Sequence, residues 1–161
     1  MEAIFDFFND FAGKEISLFI VSMIPLIELR GSIILGAALG MEWPMVLGIS
    51  LAGNILPIPL IILFGRKVLH FLERTKLFGK LATWYKNRIL NRAEGLMKQT
   101  AVALCLFVAV PLPGTGAWSG ALIAAFLDMR MRYAFPSIAI GVLIAGILMT
   151  LGSYGVVHLF S

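Results

Sequence analysis

Four long apolar blocks fill most of this chain, and two of them are interrupted at their centres. The first block, Ile16 to Leu39, contains PLIELRG, and the third, Thr100 to Leu127, contains PLPGTGAWSG. The other two blocks, Met45 to Phe64 and Tyr133 to Phe160, have no comparable interruption. Because proline removes a backbone donor and glycine loosens the chain, each interruption predicts non-helical backbone, which lipid cannot solvate. Such backbone must face protein or water.

The overall composition places these blocks in a membrane. Apolar residues make up 60% of the chain and charged residues 14%, whereas soluble domains have about 25% charged residues. A span needs about 20 apolar residues, so the chain length of 161 residues predicts one all-α integral membrane domain over residues 1–161. The single cysteine, Cys105, lies in an apolar run and predicts neither a disulfide nor a thiolate metal site.

A basic segment, residues 65–98, separates the two halves of the chain. It contains nine basic and two acidic residues, a net charge of +7, whereas the whole chain carries +4. By the positive-inside rule this segment is predicted to be cytoplasmic, in a multi-pass protein of the plasma (inner) membrane. Leu77, Leu81, Trp84 and Tyr85 fall on one helical side, which predicts an amphipathic helix at the headgroups. Topology already accounts for the charge, so nucleic acid is not a predicted partner.

Two topologies fit the interrupted blocks. If they are kinked full spans, the chain crosses four times, and Arg130 and Arg132 lie opposite the basic segment. If they are re-entrant hairpins, these arginines join the basic segment in the cytoplasm, as the charge rule favours. Each hairpin arm would have about 12 residues, or ~18 Å of helix, too short for a ~30 Å core. The favoured order is a hairpin over about 16–40, a span over about 43–64, the basic segment, a hairpin over about 100–127 and a span over about 133–159.

An internal repeat supports the hairpins. Pro25-Leu26 matches Pro111-Leu112, and after a two-residue offset residues 34–41 (ILGAALGM) align with residues 122–129 (LIAAFLDM). A single crossing separates the first half, 1–64, from the second, 99–161, so the halves would have opposite orientations. The predicted fold is therefore an inverted repeat of a re-entrant helical hairpin plus a transmembrane helix. Many secondary transporters place their substrate sites where such broken elements meet.

The polar residues of the two interruptions form the predicted site. Glu28 and Arg30 would lie near mid-membrane, where a charge costs at least about 2.5 kcal/mol, so they are functional candidates. Both returning helices would direct their N-termini at the bilayer centre, which attracts anions, and Arg30 suits a bidentate phosphate contact. The predicted substrate-binding residues are Arg30, Gly31, Ser32, Thr115, Trp118, Ser119 and Asn54. The predicted hairpin-turn residues are Pro25, Pro111, Pro113, Gly114 and Gly116.

Glu28 is assigned to proton coupling. An ionised carboxylate beside Arg30 would oppose an anion, whereas a dry site favours the neutral acid, which frees Arg30 for the substrate. The alternative is structural, because Glu28 and Arg30 could pair across a turn and only support the fold. No catalytic motif or metal-ligand spacing is visible, so neither an enzyme, a metal nor a cofactor is predicted.

The stretches IPLIELRGSI and VPLPGTGAWSGAL together resemble the small multidrug export family of bacterial and archaeal membrane proteins, over most of the chain. That family in turn resembles the DedA superfamily, and the resemblance implies two re-entrant hairpins and the movement of lipids such as undecaprenyl phosphate. By this resemblance Glu28 and Arg30 occupy the first-hairpin motif. The second tip departs from the DedA pattern, because it has Gly114, Thr115 and Gly116 and no arginine.

Three functions are therefore expected, in the following order of preference. The first is a proton-coupled secondary transporter or flippase for an anionic amphiphile, such as undecaprenyl phosphate or another lipid phosphate, with membrane lipids and protons as partners. The second is a proton-coupled exporter of small cationic drugs, in which ionised Glu28 binds the cation and Trp118 stacks on it. The third is a structural or partner-binding membrane protein. With so few spans, the chain could enclose its pathway as a homodimer.

Overall fold

The computed structural model describes residues 11–73, 94–112 and 114–160. These residues are largely helical and include no strand, which confirms the predicted all-α class for this part of the chain. The predicted amphipathic helix around Trp84 and the predicted turn residue Pro113 lie outside the described residues. The helices are α1 (Phe11–Met23), α2 (Glu28–Ala38), α3 (Trp43–Ile55), α4 (Ile58–Glu73), α5 (Glu94–Ala109), α6 (Ala117–Phe126) and α7 (Met131–Phe160).

Two helical stretches are long and apolar enough to cross a membrane. They are Trp43–Val68 and Met131–Val156, each of 26 residues with a mean hydropathy of 2.2. A helix of that length rises about 39 Å, more than the ~30 Å of a hydrocarbon core. The first stretch combines α3 and α4, which are separated at residues 56–57 because Pro57 and Pro59 cannot donate helical hydrogen bonds.

Two turns interrupt the other apolar blocks, at the positions that the sequence predicts. The first turn, residues 24–27, joins α1 to α2, and the second turn, described at residues 110–112 and 114–116, joins α5 to α6. The Ser32 hydroxyl donates to the Leu18 carbonyl oxygen at 3.0 Å, so α2 lies alongside α1. With 11 and 10 residues, α2 and α6 are each about 16 Å long, roughly half of a ~30 Å core.

We call α2 and α6 the short helices, and the α3–α4 stretch and α7 the long helices. Both halves pass from their short helix into their long helix through the same backbone motif. Gly40 has a φ of 68° and Asp128 a φ of 48°, both in the left-handed region. The Met41 amide donates to the Gly36 carbonyl at 3.1 Å, as the Met129 amide does to the Ala124 carbonyl at 2.9 Å. These bonds form a Schellman-type helix end. Residues 39–42 are the first corner, and residues 127–130 are the second corner.

The matching elements of the two halves are separated by one constant interval. Gly40 and Asp128 are 88 positions apart, and the same interval separates Trp43 from Met131, the first residues of α3 and α7. Buried positions repeat at this interval as well: Leu29 with Ala117, Ile33 with Ala121, Val46 with Ala134, and Asn54 with Val142. The two halves therefore bury equivalent faces.

The short helices connect the two halves. α2 packs against α7, and α6 packs against α4, so each short helix contacts the long helix of the other half. Within each half, α1 packs against α3 and α5 against α7. A Cβ atom on Gly53 would lie 2.7 Å from the Phe19 carbonyl oxygen, and one on Gly141 would lie 2.7 Å from the Cys105 carbonyl oxygen. A larger residue at either position would therefore press against the backbone of the paired helix.

Candidate functional site

Glu28 reaches from the start of α2 to the start of α6. Its backbone φ of 51° is in the left-handed region, which is uncommon for residues other than glycine, and its side chain is buried. The carboxyl Oε1 accepts a hydrogen bond from the backbone N–H of Trp118 at 3.2 Å. Trp118 is the second residue of α6, so the carboxyl lies where free N–H groups and the helix dipole attract an anion.

Gly116 makes room for that carboxyl. A Cβ atom at this position would overlap the Glu28 carboxyl group, so no larger residue fits without displacing it. The Gly116 N–H donates to the Ser119 hydroxyl at 2.8 Å, and that hydroxyl donates to the Gly116 carbonyl at 3.2 Å. Ser119 thus orders the start of α6, next to the carboxyl.

Arg30 makes the opposite connection, to the second turn. Its guanidinium donates to the carbonyl oxygen of Leu112, to that of Val110 at 3.2 Å and to the Thr115 hydroxyl at 3.0 Å. The Thr115 hydroxyl also lies 2.6 Å from the Val110 carbonyl and 2.9 Å from that of Leu112. Carbonyl groups at and just beyond the end of a helix have no helical N–H to bond. Arg30 donates hydrogen bonds to two such carbonyls after α5, those of Val110 and Leu112. The structure therefore brings Arg30 and Thr115 together.

Trp118 completes a reciprocal arrangement between the turns. Its indole Nε1 donates to the carbonyl oxygen of Met23, the last residue of α1, at 3.1 Å. Arg30 and Trp118 are separated by the same 88 positions as the corners. Each of these side chains donates to backbone carbonyls at the turn of the other half. The two turns are thus joined by side-chain bonds in both directions.

Glu28 and Arg30 do not pair with each other. Within the ranges that the structure describes, the ion pair is between Arg66 and Asp128, with 3.6 Å between Nε and Oδ1. Each of the two central charges is held by backbone groups of the second half instead. An ion pair between Glu28 and Arg30 is therefore not what connects them to the fold in this conformation.

A small cavity lies beside the Glu28 carboxyl. It offers about 10 Å³ for the centre of a water molecule, which is room for about one water. Asn54 also lines it, and Asn54 Oδ1 is buried with no hydrogen-bond partner among the described residues. The lining residues are Glu28, Leu29, Arg30, Asn54, Val108, Gly116, Ala117, Val142 and Ala145. A cavity of this size cannot hold an amphiphile in this conformation.

The remaining predicted residues have different surroundings. Ser32 is fully buried, and its hydroxyl lies 2.6 Å from that of Ser50, so it joins α2 to α1 and α3 and does not face Arg30. A Cβ atom on Gly31 would overlap the Ile27 side chain. Pro25, Pro111 and Gly114 lie exposed in the turns, and Gly114 has a φ of 84°. The described residues contain no group of three or more side chains suited to holding a metal ion.

Two contacts at the corners were not anticipated from the sequence. The Tyr154 hydroxyl donates to the Met41 carbonyl at the first corner, at 2.7 Å, and Arg66 faces Asp128 at the second corner. Arg66 and Tyr154 are again 88 positions apart. Extending the alignment of residues 34–41 with 122–129 along the long helices would have paired these two residues.

Comparison with known proteins gives one match. A family model described as "Putative small multi-drug export protein" matches residues 28–148, which include both central charges, the second turn and both corners. No curated protein and no solved structure matches the chain. The match covers most of the chain, and together with the apolar helices it identifies a membrane protein.

Proposed function

Because this chain belongs to the small multi-drug export protein family, we propose that it is a proton-coupled secondary transporter or flippase in the plasma (inner) membrane. Its proposed cargo is an anionic amphiphile that carries a phosphate, such as a polyprenyl phosphate lipid. The family description names drug export but no phosphate-bearing cargo. The choice of cargo rests on the chemistry at the start of α6.

The position of the Glu28 carboxyl carries this proposal. The carboxyl occupies the N-terminal end of α6, 3.2 Å from the Trp118 N–H, which is where an anionic headgroup would bind. Protonation removes the charge of Glu28 and weakens its attraction to that helix end. A headgroup can then take its place, and Arg30 can transfer its donors from the second-turn carbonyls to the phosphate. Release of cargo would restore the bonds between the turns, so proton and anion would move together.

The repeated architecture supports a transporter. We infer that the α1–α2 and α5–α6 pairs are re-entrant hairpins, because α2 and α6 are too short to cross a ~30 Å core. The constant interval of 88 positions, the matching corners and the exchange of each short helix onto the opposite long helix favour an inverted repeat. In this topology residues 65–98 are cytoplasmic. Four kinked spans are the alternative.

The test is flipping of a fluorescent polyprenyl phosphate in proteoliposomes, with and without a pH gradient. Wild type should flip the lipid faster with the gradient, and Glu28→Gln and Arg30→Ala should both reduce flipping to the rate of empty liposomes. Arg30→Lys is the matched control, since it keeps the charge but loses the forked donor geometry, and it should retain partial activity. Equal rates for wild type and empty liposomes would reject this cargo.

One observation favours a second candidate, export of small cations. Glu28 and Asn54 both line the cavity, and Asn54 Oδ1 is buried without a hydrogen-bond partner among the described residues. Arg30 lines the cavity as well, but its guanidinium bonds the second turn. A cation could therefore bind the carboxylate without meeting the guanidinium directly. Glu28→Gln should then abolish resistance to cationic compounds, and Glu28→Asp should retain part of it. Resistance that is the same in wild type and Glu28→Gln cells would remove this candidate.

A further inference from the structure

The two corner contacts are equivalent in the repeat. Tyr154 lies 23 residues after Met131, the first residue of α7. Arg66 lies 23 residues after Trp43, the first residue of the stretch that combines α3 and α4. Each side chain contacts the corner that belongs to the other half. The same relationship between helix and corner is thus built twice, although the bonds differ in chemistry.

These contacts lie at opposite ends of the bundle. The second corner immediately precedes α7, whereas Tyr154 lies near the other end of α7 and contacts the first corner. At 1.5 Å per residue, 23 residues of helix span ~35 Å, which is about the thickness of the hydrocarbon core. The Glu28 and Arg30 centre lies at the beginnings of α2 and α6, whose other ends lead into the two corners. One contact therefore lies on each side of that centre.

The two contacts differ in chemistry. The Tyr154 hydroxyl forms a normal hydrogen bond of 2.7 Å with the Met41 carbonyl. At the second corner, 3.6 Å separates Arg66 Nε from Asp128 Oδ1, which exceeds hydrogen-bond length. Arg66 Nε and Nη2 are buried without a hydrogen-bond partner among the described residues, and the Asp128 side chain is half exposed. The first contact is thus a neutral hydrogen bond, whereas the second is a longer pair of opposite charges.

We propose that Tyr154 with Met41, and Arg66 with Asp128, are two gates at opposite membrane faces that open alternately. The Tyr154 gate holds the first corner, and with it the C-terminal end of α2, against α7. The Arg66 gate holds the second corner, and with it the C-terminal end of α6, against α4. Release of one corner lets that short helix move away from the long helix and opens the cavity beside Glu28 to one face. The proposal rests on the proposed transport function, because alternation matters only to a transporter.

The test measures access to the cavity and needs no cargo. Cys105 is replaced by alanine, and Ala145, a small residue that lines the cavity, is replaced by cysteine as the reporter. A membrane-impermeant maleimide is then added to one face of sealed vesicles at a time. Tyr154→Phe should label roughly threefold to tenfold faster than the parent from the first-corner face only, as the loss of one hydrogen bond permits. Asp128→Asn should do so from the second-corner face only.

The variants are chosen to keep the fold. Asparagine tolerates the left-handed backbone of residue 128, and phenylalanine keeps the ring of Tyr154. The matched controls are Tyr133→Phe, at the other end of α7, and Glu42→Gln, an exposed acid in the first corner; both should label like the parent. Arg66→Gln gives a second disruption of the second-corner gate and should reproduce Asp128→Asn.

Several results would overturn the gates. The first is a labelling rate of the reporter cysteine that is unchanged in Tyr154→Phe, Asp128→Asn and Arg66→Gln. The second is a labelling rate that rises equally from both faces in the single variants. Failure of the proposed cargo is a separate result: face-specific labelling without polyprenyl phosphate flipping would support the gates and reject the cargo. The double variant Tyr154→Phe with Asp128→Asn should dissipate a pH gradient without cargo, since both gates then open together.

Discussion

The Glu28 carboxyl accepts a hydrogen bond from the Trp118 backbone N–H at 3.2 Å, although the two residues are 90 positions apart in the chain. This contact fills the N-terminal end of α6 with a carboxyl group that belongs to the protein itself. The Trp118 indole in turn bonds the Met23 carbonyl, so the turns of both halves are joined through this residue. A charge change at Glu28 therefore acts directly on the connection between the halves.

Gly116→Ala should displace the Glu28 carboxyl while the helices remain in place. The added methyl group would overlap the carboxyl, which is the mobile end of a side chain and can move aside. We expect loss of polyprenyl phosphate flipping with a fall of only a few degrees in the apparent Tm in detergent. Gly152→Ala, at a position with open space, is the control for both measurements and should behave like wild type. Full activity in Gly116→Ala would contradict a role for the carboxyl position.

Arg30 and Thr115 should be energetically coupled. A hydrogen bond to a charged group contributes about 1.5–3 kcal/mol and a neutral one about 1 kcal/mol. Arg30→Met removes three bonds to the guanidinium, whereas Thr115→Val removes one of them together with neutral bonds, so Arg30→Met should lower the apparent Tm more. Because both side chains bond the same carbonyls of Val110 and Leu112, the double variant should lose less than the sum of the single variants. Thermal unfolding of the four proteins measures this coupling. Strict additivity would show that the two residues do not act together on the second turn.

Two equivalent glycines should be intolerant of a methyl group. Gly53→Ala and Gly141→Ala each place a Cβ atom 2.7 Å from a backbone carbonyl oxygen, which cannot move without separating the helices. Overpacking of this kind costs about 1–3 kcal/mol, so the apparent Tm of both variants should fall. Gly48→Ala and Gly155→Ala, on the same long helices but with nothing within 4 Å, should leave it unchanged or slightly raised. Equal behaviour of the two sets would argue against close crossing of these helices.

Asn54→Leu should separate stability from function. A buried acceptor without a partner costs about 1–3 kcal/mol, so an apolar side chain of similar size should raise the apparent Tm. The same change removes the polar group of one residue that lines the cavity and should reduce transport. Asn54→Asp, which keeps the shape and adds an acid, is the comparison and should lower the apparent Tm. A lower apparent Tm in Asn54→Leu would mean that Asn54 Oδ1 is bonded, for example to a water molecule.

Much of the helical architecture could be predicted from local sequence. Proline and glycine in the two interrupted blocks predict turns, and the structure has turns at residues 24–27 and at the described residues of the second turn, 110–112 and 114–116. The spans predicted over about 43–64 and 133–159 correspond to the apolar stretches Trp43–Val68 and Met131–Val156. These agreements are expected, because helix length, apolarity and missing backbone donors are properties of neighbouring residues.

The candidate site could be predicted only in part. Glu28, Arg30, Thr115 and Trp118 lie together at the two turns. The sequence did not indicate that Glu28, Arg30 and Trp118 would each bond backbone groups of the opposite half, nor that Ser32 would face α1 and α3. A charged residue in an apolar run must find partners, but which partners depends on how the halves pack.

The amino-acid sequence by itself determined that this protein is a set of apolar helices with two broken blocks, a basic middle segment and two charges at the first break. Only the tertiary structure decided that Glu28 meets α6, that Arg30 meets the second turn, and that Tyr154 and Arg66 contact opposite corners. The physical reason is distance along the chain. Helices and turns form from contacts within a few residues, whereas these bonds join residues more than 60 positions apart and exist only once both halves are packed together.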